Sequence, residues 1–391
     1  MRVAVFGASG FVGSTLVEHL WATGEAEVRA IIHSTGSAAR LARHGRPLVV
    51  ANLMAPDTIG TALESCTHVV NCSRGPGEVM TRGLQHLLDA SRRNGVQRLV
   101  HLSSVAAYGD VDRGGVVEES AAPAPAAGTY GQVKLRQDEI VAKAERAGLS
   151  CAVLCPPNIS GAYSPFLLEI VESIRRREFT LVNEGRVSCE LVDVANLVQA
   201  ICLALRIGTV NAERIFITDG ASTTWAQVAQ SLAPMADIAD PLPSIPLDEA
   251  SRLVARAQPA MPSFRRAMRH LLSSEVRAVL RRDPWFAQVL RTGRTALRRI
   301  PQVETALRKR VSFQPDLPRS IHRPLLSARL LKQQLRSVSY SQDRARQLLG
   351  YAPVVDFQTS MARFSEWYRR HYGWGDESWT LLRHLRAENL P

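Results

Sequence analysis

The chain has 391 residues, 46% of them hydrophobic and 21% charged, and a formal net charge of +12. That length accommodates one large domain and a smaller one with ample core, and no apolar run approaches the length of a membrane span. The positive charge is local: residues 245–336 carry 20 Lys and Arg against 6 Asp and Glu, which leaves the remainder near −2, so the overall charge is no argument for a nucleic-acid partner.

Residues 3–6 form a short apolar run with β-branched members, which reads as a buried strand. Gly7, Gly10 and Gly13 follow at three-residue spacing, and helical periodicity continues from Ser14 to Trp21. A strand feeding a glycine-rich turn into a helix is a dinucleotide-binding beginning. The helix N-terminus there offers unpaired N–H groups and partial positive charge to a pyrophosphate. A strand starting at residue 2 leaves no room before it for a signal or transit peptide. The six cysteines form no Cys-x-x-Cys pair, so the reading is buried thiols in a cytoplasmic protein and no metal site.

To about residue 155, strands at 2–6, 27–32, 47–51, 68–72, 97–103 and 150–155 alternate with helices at 11–23, 37–45, 77–94 and 128–147. That alternation predicts a parallel sheet with right-handed crossovers and helices on both faces. Beyond it the pattern predicts a helix at 164–177, a strand near 188–192, a helix at 193–206, a strand at 213–218 and a helix at 223–233. Prolines 241, 243 and 246 mark a boundary before the basic segment. The chain closes with a strand near 337–340 and helices at 341–349 and 357–371.

The second strand ends in Ile31-Ile32-His33-Ser34 with no acidic residue. Asp or Glu there would grip the adenosine ribose 2′-hydroxyl and repel a 2′-phosphate. With His33, Arg40 and Arg43 nearby instead, NADP is favoured over NAD. Ser103 and Ser104 close the fifth strand, at the sheet edge that faces the cofactor crevice. Tyr130 and Lys134 are four residues apart on one helix face. A phenol is a poor base at neutral pH, and a neighbouring ammonium is expected to lower its pKa. Ser104 could hold a substrate carbonyl by a hydrogen bond.

With these residues in hand, the chain resembles an extended short-chain dehydrogenase/reductase of the NAD(P)-dependent epimerase/dehydratase family. The likeness rests on Gly7-Ala-Ser-Gly-Phe-Val-Gly13, Ser103-Ser-Val-Ala-Ala-Tyr-Gly109 and Tyr130-Gly-Gln-Val-Lys134, and spans 1–235 and 337–371. It implies an α/β, Rossmann-type doubly wound parallel sheet over 1–160, to which 188–206 returns. A smaller C-terminal substrate domain over 161–391 would carry a basic helical insertion at about 245–336. Tyr130 would be the acid/base, Lys134 would hold the nicotinamide ribose and tune Tyr130, and Ser104 would bind the reacting oxygen. Gly7, Ser9, Gly10, Phe11, Val12, Gly13, His33, Asn52, Leu53, Ser73 and Pro157 would complete the cofactor site, and Asn158 and Arg186 would meet a nucleotide-sugar diphosphate. A homodimer paired through the helix bearing Tyr130 also follows from the resemblance.

The departures narrow the chemistry. Val105 and Ala106 stand where the family's 4,6-dehydratases carry an acidic pair, so dehydration is not expected. Met80 replaces the asparagine that usually supports a water chain, Cys155 an arginine, and Glu190 a histidine. The implied function is hydride transfer at a secondary alcohol or ketone of a sugar nucleotide or related carbohydrate. The alternatives are a 3β-hydroxysteroid-dehydrogenase-like enzyme on a hydrophobic or lipid-linked alcohol, and a catalytically silent NAD(P)-sensing interaction protein. In the basic segment, Phe264, Leu271, Val279 and neighbours form an apolar helical stripe bordered by arginines, with a second stretch from Trp285. Two readings stay open: a lid over the substrate domain, or peripheral membrane contact through 262–310. No nucleic-acid recognition module is present.

Overall fold

Five short strands carry β-branched or aliphatic runs long enough to be buried on both faces, and in the computed structural model they lie at the centre of one parallel sheet. The structure describes residues 1–109, 115–208, 211–236, 238, 240–257 and 328–372. By their internal contacts, 1–251 and 326–391 form one compact unit and 252–325 another. Within the second unit only the end of a helix, Leu247–Ala257, is described. The amphipathic stretches from Phe264 and Trp285, with both the lid and the membrane-contact readings of 262–310, lie outside the described residues.

The sheet is built from β1 (Arg2–Phe6), β2 (Glu27–Ile32), β3 (Leu48–Val50), β4 (His68–Asn71), β5 (Arg98–Leu102), β7 (Ser150–Cys155) and β11 (Arg214–Phe216). Its spatial order is 3-2-1-4-5-7-11, all parallel. The order reverses between β1 and β4, and a crevice at the carboxyl ends of the strands at such a switch point is where ligands bind in open α/β sheets. One face is covered by α1 (Phe11–Thr23), α7 (Val194–Arg206) and α11 (Asp343–Leu349), through Leu16, Leu20, Leu197, Ile201 and Leu349. The other face is covered by α3 (Pro56–Leu63), α4 (Gly77–Arg93) and α5 (Tyr130–Arg146), through Ile59, Leu84, Leu87 and Val141.

Three strand pairs stand apart from the sheet: β8 (Asn158–Ser160) with β10 (Leu191–Asp193), β9 (Leu181–Val182) with β12 (Ser244–Ile245), and β6 (Gly115–Val117) with β13 (Val338–Tyr340). A third core gathers α6 (Pro165–Arg175), α8 (Trp225–Leu232), α10 (Ala328–Gln334) and α12 (Phe357–Tyr372) around Phe166, Ile170, Trp225, Leu330 and Phe364.

Most sequence-predicted elements fall within one to three residues of the observed ones. The helix predicted at 37–45 is shorter, because a 3₁₀ turn at Thr35–Ser37 precedes a single helical turn, α2 (Ala39–Ala42). The eight-residue α3 was not expected. Thr58, Gly60 and Thr61 are poor helix formers, and burial of Ile59, Ala62 and Leu63 overrides that propensity. The segment read as an insertion begins and ends in described elements: β12 and the helix at 247–257 open it, and α10 closes it.

Candidate active site

The turn after β1 is shaped by a close approach. A Cβ on Gly13 would lie 2.2 Å from the Gly7 carbonyl oxygen, so any side chain there would push α1 off the turn. Gly10 caps α1 with no side-chain hydrogen bond, and the first turn carries no acidic residue. The donors of that helix start are therefore left for an anion, as a dinucleotide pyrophosphate requires. The residues present fit such a cofactor.

A cavity of about 550 Å³ opens beside this turn. It brings together Gly10, Phe11 and Val12 with Ser73 after β4, Ser104 after β5, Tyr130 and Lys134 on α5, and Pro157 and Asn158 at the start of β8. Gly7, Ser9, Gly13, His33, Asn52, Leu53 and Arg186 are not among its walls. Gly7 and Gly13 shape the turn behind it. His33 is exposed just past β2. Asn52 Oδ1 accepts a hydrogen bond from the Met54 N–H at 2.9 Å, which fixes a local turn, and Leu53 is buried beneath α4.

Thr129 caps α5 by accepting from the Gln132 N–H, which places Tyr130 at the first helical position. A Cβ on Gly131 would lie 2.1 Å from the Ala106 carbonyl oxygen, so glycine lets the helix start press against the turn that follows Ser104. The Ser104 hydroxyl accepts from the Ala106 N–H at 3.2 Å and sits 3.5 Å from the Pro156 carbonyl. Lys134 is buried, and its Nζ donates to the Leu102 carbonyl at 2.8 Å. Burial pulls its pKa down to about 8, opposed by the carboxylate of Asp138 one turn further on. Asp138 is itself buried and bonded to Arg214 Nε at 2.7 Å.

The expectation that Lys134 makes Tyr130 acidic does not match this arrangement. Tyr130 is 40% exposed, and loss of water around its phenol raises the phenol pKa. The cation that opposes this rise is Arg74, with Asp138 working against it. Lys134 Nζ is 5.7 Å from the ring centroid and bonded to a carbonyl, whereas Arg74 Cζ is 5.0 Å from the same centroid. Beneath the site, Asn71 links Ser73 to His101, and burial beside Lys134 holds His101 neutral, its pKa well below the ordinary value.

The residues proposed for a diphosphate separate. Asn158 lines the cavity, but its Nδ2 donates to the Glu190 carbonyl at 3.3 Å. Arg186 lies outside, 72% exposed and paired with Glu184. Of the arginines placed near His33, Arg40 is held by Glu18 at 2.6 Å and stacked 3.9 Å over the Tyr163 ring, while Arg43 also reaches Glu18 but stays 52% exposed. The rest of the cavity wall was not foreseen: Pro165, Phe166, Trp225 and Val338 on the apolar side, and Glu169, Arg329, Gln333 and Arg336 on the polar side. Arg329 and Gln333 share one face of α10 at i and i+4, a spacing open to reading in the sequence, and Arg336 follows just after that helix ends. Burial raises the pKa of Glu190, also in this wall, while the Ser188 hydroxyl donates to it at 2.7 Å.

All six cysteines are free, and burial raises the Cys72 thiol to about 12, so none is poised as a nucleophile. Among the described residues no helix is long and apolar enough to cross a membrane.

Residues 3–216 match the model of the NAD dependent epimerase/dehydratase family. The chain is 30% identical over 233 residues to the 4-hydroxy-2-methyl-3-oxo-4-farnesyl-3,4-dihydroquinoline-1-oxide ketoreductase of Stigmatella aurantiaca, covering 56% of this chain and 69% of that one. It is 29% identical over 149 residues to the UDP-glucose 4-epimerase of Corynebacterium glutamicum, covering 33% and 45%. Its fold is shared with dTDP-glucose 4,6-dehydratase from Streptomyces venezuelae, solved with NAD bound, at a TM-score of 0.64 and 20% identity over 96% of this chain and 99% of the other.

Proposed function

Because the chain belongs to the NAD dependent epimerase/dehydratase family, we propose that it moves hydride between a nicotinamide and a ketone or secondary alcohol on a largely apolar substrate. The observation that carries this reading is one cavity that joins the glycine turn, Ser104, Tyr130 and Lys134 to a wall of Pro165, Phe166, Trp225 and Val338. With its pyrophosphate at the glycine turn, a bound dinucleotide would supply or accept the hydride. Tyr130 gives its proton to the substrate oxygen in reduction and takes it back in oxidation. Ser104 holds that oxygen by a hydrogen bond, and Lys134, anchored on the Leu102 carbonyl, fixes the helix face from which Tyr130 works.

Ketone reduction on an apolar body is supported by the likeness to a ketoreductase whose named substrate carries a farnesyl chain, and by the exposed position of Arg186. A sugar nucleotide is the second reading, favoured by the epimerase relative and by Asn158 in the cavity wall. Val105 and Ala106 cannot transfer protons, which argues against dehydration. NADP is preferred over NAD in this proposal, since no carboxylate follows β2 and Arg43 stays exposed nearby.

The test is turnover of the full chain with reduced cofactor against prenylated cyclic ketones and, in parallel, UDP-glucose. Cofactor oxidation with the ketones that vanishes in Tyr130→Phe is the expected result. Turnover of UDP-glucose alone would replace the substrate class, and no turnover of either with cofactor still bound would favour the silent sensor.

A further inference from the structure

The segment after β4 carries a guanidinium into the wall of the active-site cavity. Arg74 lines the active-site cavity, is exposed, and among the described residues makes no hydrogen bond or ion pair. Its Cζ lies 5.0 Å from the centroid of the Tyr130 ring. A cation over an aromatic face is attracted by the ring quadrupole, and the attraction grows when the ring oxygen becomes negative.

We propose that Arg74 is a positioning residue for the reaction: acting through Tyr130, its permanent charge stabilises the phenolate that Lys134 alone cannot hold. This rests on the reading of Tyr130 as the acid/base. Three features of the site support it.

The first is distance and commitment. Lys134 is further from the ring centroid, at 5.7 Å, and its Nζ is already bonded to the Leu102 carbonyl. The second is competing charge. The charged groups nearest Tyr130 are Arg74 from the segment after β4, and Lys134 and Asp138 from its own helix. Asp138, buried on the same helix, opposes the phenolate and stabilises the Lys134 charge. Elsewhere in the cavity Glu169 is paired with Arg329, Arg336 is bonded to the Gly109 carbonyl and the Tyr340 hydroxyl, and Glu190 takes the Ser188 hydroxyl.

The third is permanence. Burial brings the Lys134 ammonium to a pKa of about 8, so its charge fades through the mildly alkaline range where a phenolate is most readily formed. A guanidinium keeps its charge throughout. The two cations divide the work by pH: Lys134 contributes below its pKa, and Arg74 contributes everywhere.

The chain contains seven tyrosines, so the experiment isolates one by difference. Phenolate absorbance is titrated in the full-length protein and in Tyr130→Phe, and the difference gives the Tyr130 midpoint without any substrate. The same subtraction is made in an Arg74→Met background. Arg74→Met should raise the midpoint by about one unit, a tenfold change in the ionisation constant, and Arg74→Lys should recover only part of it, because an ammonium loses its charge over the range where this phenol ionises. In alcohol oxidation with bound cofactor, the acidic limb of the pH–rate profile should move up by the same amount. Equal midpoints in the full-length protein and Arg74→Met, or full recovery by Arg74→Lys above about pH 11, where an ammonium is mostly neutral, would overturn the proposal. Because the titration needs no turnover, a protein that titrates as expected yet reduces no ketone would fail the functional reading and leave the Arg74 inference standing.

Discussion

Gly131 and Ala106 are in backbone contact, so close that a methyl group on the glycine would lie 2.1 Å from the alanine carbonyl oxygen. The contact sets how near Tyr130 comes to the Ser104 turn. Gly131→Ala must separate the two segments, and overpacking of this kind costs about 1–3 kcal/mol. Expected are a lower unfolding midpoint in thermal denaturation and a loss of turnover of about a hundredfold, since an ångström of misplacement is that expensive in rate. Normal turnover in a folded Gly131→Ala protein would show that the spacing does not matter.

Tyr130→Phe removes the proton carrier and keeps the ring over which Arg74 and Lys134 lie. Hydride transfer should fall by about 10² to 10⁴, the usual contribution of a positioned acid or base. Affinity for reduced cofactor, followed by fluorescence, should stay within a few-fold. Parallel loss of both would mean that the hydroxyl serves binding instead.

Stability should depend on pH through Lys134. Its folded pKa of about 8 lies below the ordinary lysine value, so between the two the unfolded chain binds more protons than the folded one. Stability therefore rises with pH across that window and is flat below it. Denaturant unfolding of the native chain relative to Lys134→Met should show a gain of up to about 3 kcal/mol from pH 8 to the unfolded value near 10.4. A difference that stays level across that window would mean the ammonium is not held at a depressed pKa.

Cofactor choice can be read at Glu18, which clasps Arg40, Arg43 and His44 together. NADPH should bind about tenfold more tightly than NADH at low ionic strength, with the margin shrinking as salt screens the exposed Arg43. Glu18→Gln should widen the margin by releasing both arginines. Equal affinities in direct binding titrations, unchanged in Glu18→Gln, would assign no role to this cluster.

If the substrate is apolar, Arg186→Ala should leave KM within about twofold, as expected for an exposed ion pair worth well under 1 kcal/mol. A KM raised tenfold or more for UDP-glucose would instead return Arg186 to the substrate.

The opening of the chain was legible because several local signals agree there. Strand 2–6, the glycines and helix 11–23 each depend on residues within a few positions of one another, and the structure reproduces their bounds. Tyr130 and Lys134 were legible through a spacing tied to one helix, and Ser104 through its place at the end of a strand. The electrostatics were not, because they depend on packing. Nothing local reveals that Lys134 turns to Leu102, or that Arg74, reached from a different strand, lies nearer the ring than Lys134 does. The pairing of β6 with β13 was equally hidden, since three residues on each side carry no signal of a partner more than two hundred positions away. Arg186 lies outside the cavity wall for a related reason: a motif position gives a side chain's address in the chain, while here the side chain pairs with Glu184 two residues before it.

That same β6–β13 ladder, reinforced by Arg336 on the Gly109 carbonyl, has a consequence for how the protein comes into being. A ribosome that has released only the first three hundred residues has already supplied the glycine turn, Ser104, Tyr130 and Lys134, yet the strand that clamps the loop beyond Ser104 is still untranslated. The nascent chain should therefore grip dinucleotide early and become competent for turnover late, only after residue 340 has cleared the exit tunnel.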